Sequence, residues 1–334
     1  MHDPLQMNAK SFASMSWRQP VLVCAVAALL SGCGGQMTTT TTSSAPVNAG
    51  KRTPCGQVSS GPPSYKHVIW LWMENHSYEE IVGSSSAPYL NSLARACGLA
   101  TNYHNITHPS LPNYIAATSG LGSRELLQSF PGDCDPSASC STDATSIFAQ
   151  VPGWRAYEES MPAPCTRQDS GDYAVRHNPP PYYSSLVDCP QRDVPLTRLS
   201  SDLSTNSLPA YSFITPNLCH DTHDCPVSVG DQWLAGEVPQ ILSSRAYRAR
   251  HTALFIAWDE GDGGTTNDCA TNESDVGCHV VTVIVSPSTP AGKRSGQLFN
   301  HYSLLRTTEA LLGLSPLGEA ARASSMVKAF GLGP

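Results

Sequence analysis

Three long apolar runs, each followed closely by acidic, amide or imidazole side chains, are the feature that most restricts the fold of this chain. They are HVIWLWM before Glu74-Asn75, LPAYSFITPN before His220-Asp221, and HTALFIAW before Asp259-Glu260. Nearly continuous apolar strands are typical of parallel sheets that are covered on both faces. Because helical patterns alternate with these runs, the sequence predicts an α/β fold with a mainly parallel central sheet and helices on both faces.

Other segments fill in this architecture. The run HVVTVIVSP predicts a further long strand, and WRAYEES predicts a weak one. Amphipathic helices are predicted at APYLNSLARACG, PNYIAATSG, DQWLAGEVPQILSS and HYSLLRTTEALLGL. Pro239 is expected to kink or interrupt the third of these helices. The stretch from about 121 to 206 is rich in Pro, Ser, Asp and Cys, and it predicts an insertion of loops stapled by disulfides.

The N-terminal residues carry the pattern of an export signal. Lys10 and Arg18 precede the apolar run VLVCAVAALL, and LSGC follows it. A short basic region, a short apolar run and small residues are typical of a secretory signal, and the run is too short to span a bilayer. LSGC resembles a bacterial lipobox, so residues 1–33 are predicted to be a lipoprotein signal peptide with lipidation at Cys33. An ordinary signal peptide with an incidental cysteine is the alternative.

Residues 34–62 are predicted to be a flexible linker, because they open with a Gly/Thr/Ser/Ala tract that has no apolar period. Residues 63–334 then form a single catalytic domain. A lipid anchor at Cys33 would hold this domain at the outer face of the cytoplasmic membrane, in the periplasm or at the outer membrane.

Ten cysteines follow the signal, at positions 55, 97, 134, 140, 165, 189, 219, 225, 269 and 278. In an exported protein this even number indicates disulfides. Consecutive pairing would staple loops, although the sequence leaves the connectivity open. A zinc site is the competing interpretation, and the lack of any CxxC motif disfavours it.

The net charge limits the possible partners. It is −7 for the whole chain, and −8 without residues 1–33, which hold two basic residues and one acidic residue. An acidic protein does not attract a nucleic-acid backbone, so no nucleic-acid partner is expected. No protein partner is predicted either, whereas small-molecule substrates are compatible with this charge.

The side chains at the strand ends suggest a metal site, because the carboxyl ends of parallel strands meet at one edge of the sheet. Glu74, Asn75, Asp259 and Glu260 supply carboxylate and amide oxygens, and Ser110 supplies a hydroxyl. Such an oxygen set suits one divalent cation, with Ca²⁺, Mg²⁺ or Mn²⁺ favoured over Zn²⁺. A cation would also relieve the repulsion between the carboxylates, which otherwise raises their pKa values.

Ser110 is the candidate nucleophile. The segment NITHPSLPNY places it between two prolines at the predicted start of a helix, where free N–H groups can hold a phosphate. A serine needs a base or a metal for activation. Asn113, one helical turn on, is expected to reach a phosphate oxygen, and His301, at the start of the last helix, is expected to donate to the phosphoryl group.

Less specific interpretations compete with each assignment. A serine beside proline at a helix start is often only a cap, an Asp-Glu pair after a strand is often a solvated turn, and His301 could simply pack or cap its helix. Other histidines have no notable polar neighbours in the sequence and are interpreted as structural: His67, His177, His251 and His279. The case for a catalytic site therefore depends on the joint occurrence of these groups at strand ends.

Four motifs in order, MENHSY, THPSLPNYIAATSG, AWDEGDG and NHYSLLRTTEALLGL, resemble the bacterial and fungal phosphoesterase family. That family includes acid phosphatases and phospholipases C and belongs to the alkaline phosphatase superfamily. The resemblance covers residues 66 to 314. It implies an alkaline-phosphatase-like fold, a single-metal site and a phosphoserine intermediate.

On the matching positions, the resemblance implies that the cation is held by Glu74, Asn75, Ser110, Asp259 and Glu260. The family also uses histidines to hold phosphoryl oxygens or to protonate the leaving group. PNLCHDTHDC resembles the segment that carries such histidines and nominates His220 as catalytic, with His223 and Asp221 as further substrate contacts. His301 and Asn113 fall on matching positions, and His108 is an additional candidate contact.

These observations predict a lipid-anchored, metal-dependent phosphomonoesterase of acid phosphatase type that acts on small phosphate esters. A phospholipase C-like phosphodiesterase is the first alternative, and a non-catalytic surface-binding lipoprotein on the same scaffold is the second. Sulfatases of the superfamily require an arginine in a Cys/Ser-x-Pro-x-Arg segment. Tyr114 stands at that position, which argues against a sulfatase.

Overall fold

The computed structural model of the protein describes residues 53–262, 268–269 and 274–333. The predicted signal peptide, Cys33 and residues 34–52 of the predicted linker lie outside this range. Residues 53–62, also assigned to the linker, are attached to the folded body. Cys55 forms a disulfide with Cys97, and the backbone N–H of Gly56 donates to the carbonyl of Thr289 at 2.8 Å.

The strands are β1 (His67–Met73), β2 (Gly98–Ala100), β3 (Tyr103–His104), β4 (Trp154–Glu158), β5 (Asp193–Pro195), β6 (Tyr211–Thr215), β7 (Thr252–Trp258), β8 (Thr282–Val285), β9 (Lys293–Ser295) and β10 (Phe299–Asn300). The α-helices are α1 (Tyr78–Ile81), α2 (Pro88–Ala96), α3 (Ser110–Ser119), α4 (Ser123–Ser129), α5 (Ile147–Gln150), α6 (Cys189–Arg192), α7 (Thr197–Thr205), α8 (Val227–Ser243), α9 (Arg245–Arg248) and α10 (His301–Leu312). Short 3₁₀ turns occur at Val175–His177, Pro180–Tyr182, Val276–Cys278 and Gly318–Ala321.

Eight strands form the central sheet of the described chain, in the order β5-β4-β6-β1-β7-β8-β2-β9. The first five are mutually parallel, and β8 runs antiparallel to both of its neighbours. The predicted α/β fold with a mainly parallel sheet is therefore confirmed. Strand β1 lies centrally and is buried from Val68 to Met73, as its continuous apolar run requires.

Aromatic side chains fill the core on one face of β1. Trp70 packs edge-on against Tyr211 with ring centroids 5.2 Å apart, and Trp72 stacks on Phe213 at 5.7 Å. Tyr114 of α3 lies 5.5 Å from Trp72, and all ten residues of α3 are buried. The helix that begins at Ser110 is thus packed directly on the central strand.

Three local predictions were inaccurate. The run HVVTVIVSP forms only the short strand β8, and β8 is antiparallel. Of the two outcomes expected at Pro239, interruption is wrong: helix α8 continues through this proline, which lies on the exposed face, where water can satisfy the carbonyl it leaves free. The stretch from 121 to 206 contains more than loops, since β4 and β5 extend the parallel sheet at its edge.

The ten cysteines of the described chain form five disulfides in consecutive order: Cys55–Cys97, Cys134–Cys140, Cys165–Cys189, Cys219–Cys225 and Cys269–Cys278. Two of them staple the 121–206 stretch, as predicted. None of the helices in the described residues has both the length and the apolar character needed to cross a membrane.

Candidate active site

The ends of β1 and β7 bring two carboxylates together. Met73 and Trp258 are paired in the parallel ladder, so Glu74 and Asp259 leave the sheet side by side. The backbone N–H of Asn75 donates to Asp259 Oδ1 at 3.2 Å, and the N–H of Asp259 donates to the Met73 carbonyl at 3.0 Å. Asn75 has a φ of 48°, a left-handed conformation that asparagine tolerates well and that turns the chain away from the strand.

Ser110 lies between two of the predicted carboxylates. It is the first residue of α3, and its Oγ lies 3.0 Å from Glu74 Oε2 and 3.3 Å from Glu260 Oε1. The hydroxyl has a single proton, so it can donate to only one of these oxygens at a time. The side chain is 2% exposed. The sequence prediction that segments distant in the chain meet at this hydroxyl agrees with these distances.

The turn after Asp259-Glu260 requires a glycine. A Cβ on Gly261 would lie 2.6 Å from Ser77 Oγ and 2.9 Å from the Gly277 carbonyl, closer than real contacts permit. The DEGDG sequence therefore combines two acidic side chains with a residue that lets the backbone pass close to Ser77.

The site is strongly acidic, and its carboxylates resist ionisation. Burial, together with the nearby charges of Asp259 and Asp221, raises the pKa of Glu74 well above its ordinary value. Burial and the charge of Glu260 do the same to the pKa of Asp259, and burial also raises the pKa of Glu260. Groups of like charge in a buried site behave in this way when no cation is present.

The donor set fits a hard divalent cation. Asp259 is fully buried, and its Oδ2 has no hydrogen-bond partner, although a buried carboxylate oxygen is normally satisfied. The surrounding side-chain atoms of Glu74, Ser110 and Glu260 are oxygens, which Mg²⁺, Ca²⁺ and Mn²⁺ prefer. These carboxylates surround the serine hydroxyl rather than forming a closed cage.

Two groups of closely spaced His, Cys and Asp side chains also occur in the described chain, and neither can hold zinc. They are His108, Cys269 and Cys278, and Cys165, Cys189 and Asp193, with ligand atoms within 4.8 Å of one another. Each group contains a disulfide, so its sulfurs are not thiolates. This removes the structural basis for the zinc alternative in both places.

His108 contacts the acidic cluster directly. Its Nδ1 lies 2.6 Å from Glu260 Oε2, while its Nε2 is buried and has no hydrogen-bond partner. The side chain retains 17% exposure. His108, the weakest histidine candidate in the sequence, is therefore one of the groups nearest to the serine's carboxylate partners.

His301 has a different environment from the one predicted. It is fully buried, its Nδ1 lies 3.0 Å from the Tyr103 hydroxyl, and its Nε2 lies 2.6 Å from the backbone carbonyl of Asp259. Burial lowers the pKa of His301 to about 4, so the ring is neutral. A neutral ring that donates from Nε2 and accepts from the tyrosine satisfies both contacts, which makes His301 a support for the Asp259 backbone.

Asn113 is also fully engaged. Its Oδ1 accepts from the backbone N–H groups of Ile106 and Thr107 at 2.9 and 3.1 Å, and its Nδ2 donates to the carbonyls of Thr107 and Pro109 at 2.8 and 3.2 Å. A phosphate contact would have to break these bonds. In this structure Asn113 positions the loop that leads to Ser110.

The loop after β6 is fastened to the end of β1. The N–H of Glu74 donates to the Asp221 carbonyl at 2.9 Å, and the Thr222 hydroxyl donates to the Glu74 carbonyl at 2.8 Å. The Asp221 carboxylate accepts from the backbone N–H of His223 at 2.7 Å and faces His177 Nδ1 at 3.2 Å. Burial raises the pKa of Asp221 to about 7.

His220 and His223, expected from the sequence to be a catalytic residue and a substrate contact, lie in different surroundings. His220 pairs with Glu159 at 2.9 Å and stacks near Trp233, and no described contact joins it to the serine or its carboxylates. The ring of His223 instead lies 5.6 Å from that of His177, tilted by 48°, and His177 Nε2 lies 3.3 Å from Glu74 Oε2. The second histidine of PNLCHDTHDC is therefore the one that faces the acidic cluster.

Two residues of the site were missed. The hydroxyl of Tyr114 hydrogen bonds to Glu74 Oε1, and His177, interpreted as structural from the sequence, contacts both Glu74 and Asp221. Tyr114 occurs four residues after Ser110, on the same helical face, a spacing that could have identified it. His177 lies in the 121–206 stretch, where no strand end marks it.

Comparisons with known proteins find a matching family model and several relatives. A model of the phosphoesterase family matches residues 84–315. Phosphatidylinositol-3-phosphatase of Mycobacterium tuberculosis is 29% identical over 281 residues, which are 83% of this chain and 86% of that protein. An acid phosphatase of Aspergillus fumigatus is 27% identical over 76% of this chain and 56% of its own length. Hemolytic phospholipase C of Pseudomonas aeruginosa is 25% identical over 74% of this chain and 43% of its own length.

One solved structure shares the fold at low sequence identity. Murine ectonucleotide pyrophosphatase/phosphodiesterase 5 superposes with a TM-score of 0.52 over 75% of this chain and 96% of its own, at 10% identity. A protein in the alkaline phosphatase superfamily from Vibrio parahaemolyticus has a TM-score of 0.49 over 79% of this chain and 71% of its own, at 12% identity. At such identities, the first of these comparisons concerns the fold alone.

Proposed function

The chain belongs to the phosphoesterase family and is a hydrolase of phosphate esters, and from this premise we propose a metal-dependent phosphomonoesterase of acid phosphatase type with Ser110 as the nucleophile. The observation that carries the proposal is the position of the Ser110 hydroxyl, 3.0 Å from Glu74 and 3.3 Å from Glu260 at the first turn of α3. Such a hydroxyl has proton acceptors beside it and backbone N–H groups of a helix start next to it.

The cation would be held by the oxygens of Glu74, Asn75, Ser110, Asp259 and Glu260. Bound there, it would neutralise the clustered carboxylates and lower the proton affinity of the serine hydroxyl. Support for this assignment comes from the unpaired buried oxygen of Asp259 and from the raised pKa values of its neighbours.

The reaction proceeds in two displacements. Ser110 Oγ gives up its proton, which passes to solvent, and attacks phosphorus as the bond to the leaving alcohol breaks. The alcohol takes up one proton, and the phosphoryl group remains on the serine. Water then attacks phosphorus, the serine oxygen recovers a proton, and inorganic phosphate leaves.

His108 and His223 are the histidines best placed to donate protons in these steps. They are 17% and 26% exposed, so substrate can reach them; His108 contacts Glu260, and His223 contacts Asp224 and lies beside His177, which contacts Glu74. His301 and His220 are less suitable, because the first is buried and doubly bonded and the second contacts Glu159 instead.

Substitution of the nucleophile tests the proposal. Ser110→Ala should abolish hydrolysis of p-nitrophenyl phosphate while divalent metal binding persists, and acid quench of the wild-type reaction should leave a phosphoryl group on the Ser110 peptide. Ser119→Ala, in the same buried helix, is the matched control and should remain active. Unchanged turnover by Ser110→Ala would refute the assignment and leave the non-catalytic alternative without support as well.

Substrate preference separates the monoesterase from a phospholipase C-like diesterase. We expect faster turnover of p-nitrophenyl phosphate than of its phosphorylcholine ester. Phosphatidylinositol 3-phosphate belongs in the same panel, because one relative is named for its dephosphorylation. A strong preference for the diester would favour the phospholipase reading instead.

The protein is further proposed to be exported and anchored through a lipid on Cys33. The five disulfides support an oxidising compartment. Replacement of Cys33 by Ala should move the protein from the membrane fraction to the soluble exported fraction. Continued sedimentation with membranes would contradict the lipid anchor.

A further inference from the structure

Arg176 places a permanent positive charge beside this acidic site. It belongs to the 3₁₀ turn Val175–His177, directly before the histidine that contacts Glu74. Its side chain is 20% exposed, so it is both held by the protein and accessible from solvent. Neither the proposed chemistry nor the family motifs use it.

The contacts of Arg176 leave much of its donor capacity free. Nε lies 3.7 Å from Asp133 Oδ2, Nη1 lies 3.8 Å from Asp169 Oδ2, and Nη2 lies 3.4 Å from His223 Nε2. Strong charge-assisted hydrogen bonds of a guanidinium are about 2.7–2.9 Å long and are frequently paired. Arg176 has five N–H groups and makes only long contacts. An anion at normal hydrogen-bonding distance would therefore bind the guanidinium more strongly than either aspartate does.

Asp133 already occupies a position that resembles a phosphate site. Its Oδ1 accepts from the backbone N–H of Leu111 at 3.0 Å, and its Oδ2 faces Arg176. Leu111 is the second residue of α3, so this carboxylate bridges the guanidinium and the N-terminal turn that begins with Ser110. An N–H of a helix start and an arginine fork are the two groups that most often hold phosphate oxygens.

The charge of Arg176 acts on the catalytic surroundings. It contributes to lowering the pKa of His177, for which burial is the larger cause, and it partly offsets the rise that burial imposes on the pKa of Asp221. Asp133 in turn adds to the rise in the pKa of Glu260, which is mainly due to burial. Position rather than these shifts brings Arg176 near the substrate, because Asp133 contacts both the guanidinium and the N–H of Leu111, the residue after Ser110.

We propose that Arg176 binds a terminal oxygen of the substrate's phosphate group, and that Asp133 holds the guanidinium in place between turnovers. This assignment rests on the proposed phosphomonoesterase function. His223 Nε2 lies 3.4 Å from Nη2 of Arg176, so an anion oxygen placed beside both atoms could accept from both of them. A monoester has the terminal oxygen and the second negative charge that this contact with Arg176 requires, whereas a diester carries an alkyl or aryl group on one of those oxygens. Arg176 thereby favours monoesters.

Arg176→Ala tests directly whether Arg176 binds the substrate's phosphate group. The KM for p-nitrophenyl phosphate and the inhibition constant of inorganic phosphate should both rise about 10- to 100-fold, the loss expected for a charged hydrogen-bond donor. Turnover of bis(p-nitrophenyl) phosphate should change less than about threefold by the same reasoning. Guanidinium chloride at millimolar concentration should restore part of the lost monoesterase activity, which a purely structural role would not allow. Arg322→Ala, an exposed arginine paired with Glu319, is the control and should behave as wild type.

Two further measurements keep the test decisive. Should Arg176→Ala fail to fold, Arg176→Lys retains the charge but loses the fork, and a weaker rise in the phosphate inhibition constant is expected. Calorimetry of inorganic phosphate binding to Ser110→Ala, with and without Arg176→Ala, measures the contribution of Arg176 to phosphate affinity without any turnover. Equal phosphate affinity in both would overturn the role of Arg176 even in an active enzyme. A wild-type protein that binds phosphate through Arg176 but hydrolyses no ester would instead overturn the proposed function.

Discussion

Glu74→Gln should make the metal-free protein more stable while it destroys the active site. Glu74 is fully buried, and its pKa is raised well above the ordinary value by burial and by the charges of Asp259 and Asp221. A glutamine has the same shape and can keep the existing partners. Tyr114 can still donate to its oxygen, and its amide can donate to the Ser110 hydroxyl.

The distances around Ser110 set the size of the effect. The oxygens of Glu74 and Glu260 that flank the hydroxyl are no more than about 6.3 Å apart, because each lies close to the same Oγ. At an effective dielectric constant of about 20, two unit charges at that separation repel by about 2.6 kcal/mol. The variant should therefore gain about 2–3 kcal/mol at pH 8 in chelator, or about 5–10 °C in Tm.

The sign depends on pH in a defined way. A carboxyl whose folded-state pKa lies above its unfolded value stabilises the fold only while it is protonated, so this stability is lost as the pH rises from about 4 through the raised value. Glutamine has no such transition. The variant's advantage should consequently be large at pH 8 and vanish near pH 4, as measured by urea unfolding in EDTA at several pH values.

Divalent cations should reverse the ranking. At a metal concentration about 1,000 times the Kd, the wild type gains about 4.1 kcal/mol, which exceeds the variant's advantage of about 2–3 kcal/mol, whereas Glu74→Gln gains much less and shows no phosphatase activity. Glu125→Gln, an exposed glutamate in α4, is the control and should match wild type throughout. A variant that is equally or less stable than wild type at pH 8 in EDTA, or an advantage that does not change with pH, would refute the account of a repulsive metal site.

Three more substitutions test residues outside the proposed cation site. Burial raises the Glu309 pKa to about 7, so the wild type should lose about 1–3 kcal/mol of stability as the pH rises from 5 to 8. Glu309→Gln should not show this loss in urea unfolding. Gly230→Ala should cost about 1–3 kcal/mol in thermal unfolding and lower kcat/KM, since its Cβ would lie 2.3 Å from Thr222 Cγ2 and push the loop that carries Asp221. Replacing Cys219 and Cys225 together by Ala should cost about 2 kcal/mol, as expected for so short a loop, and reduce kcat/KM for p-nitrophenyl phosphate by a larger factor.

The central sheet could be predicted because its inner strands are buried on both faces. Such strands read as continuous apolar runs, and β1 and β7 were located from that signal alone. Strand β4 was predicted only as a weak strand, and the three-residue edge strand β5 was missed because it is short and partly exposed. The antiparallel direction of β8 could not be read at all, because strand direction depends on the path of the connections rather than on the residues in the strand.

The site was predictable where strand ends marked it. Glu74 and Asp259 follow paired residues of neighbouring strands, so the rule that ligands bind at the carboxyl edge was sufficient to bring them together. His177 and Arg176 come from a 3₁₀ turn inside the inserted stretch, whose path is set by tertiary contacts. The different surroundings of His220 and His223 could not be predicted for the same reason, since two histidines three residues apart in a loop have no periodicity that tells them apart.

The hydrogen bonds that hold the backbone of the site do not involve the Glu74 carboxylate or the Ser110 hydroxyl. This determines how variants of those two side chains can be interpreted. The end of β1 and the loop after β6 are joined by the Glu74 N–H, by the Glu74 carbonyl and by the Thr222 hydroxyl. Thr222 holds a φ of 84°, a conformation that costs about 1–3 kcal/mol in a residue with a branched side chain and that persists only when its surroundings enforce it. Asn113 and His301 likewise hold the backbone of the serine loop and of Asp259 through main-chain carbonyls. Because these bonds survive when the Glu74 carboxylate or the Ser110 hydroxyl is replaced, a loss of activity in such variants reports on charge and chemistry rather than on a collapsed site.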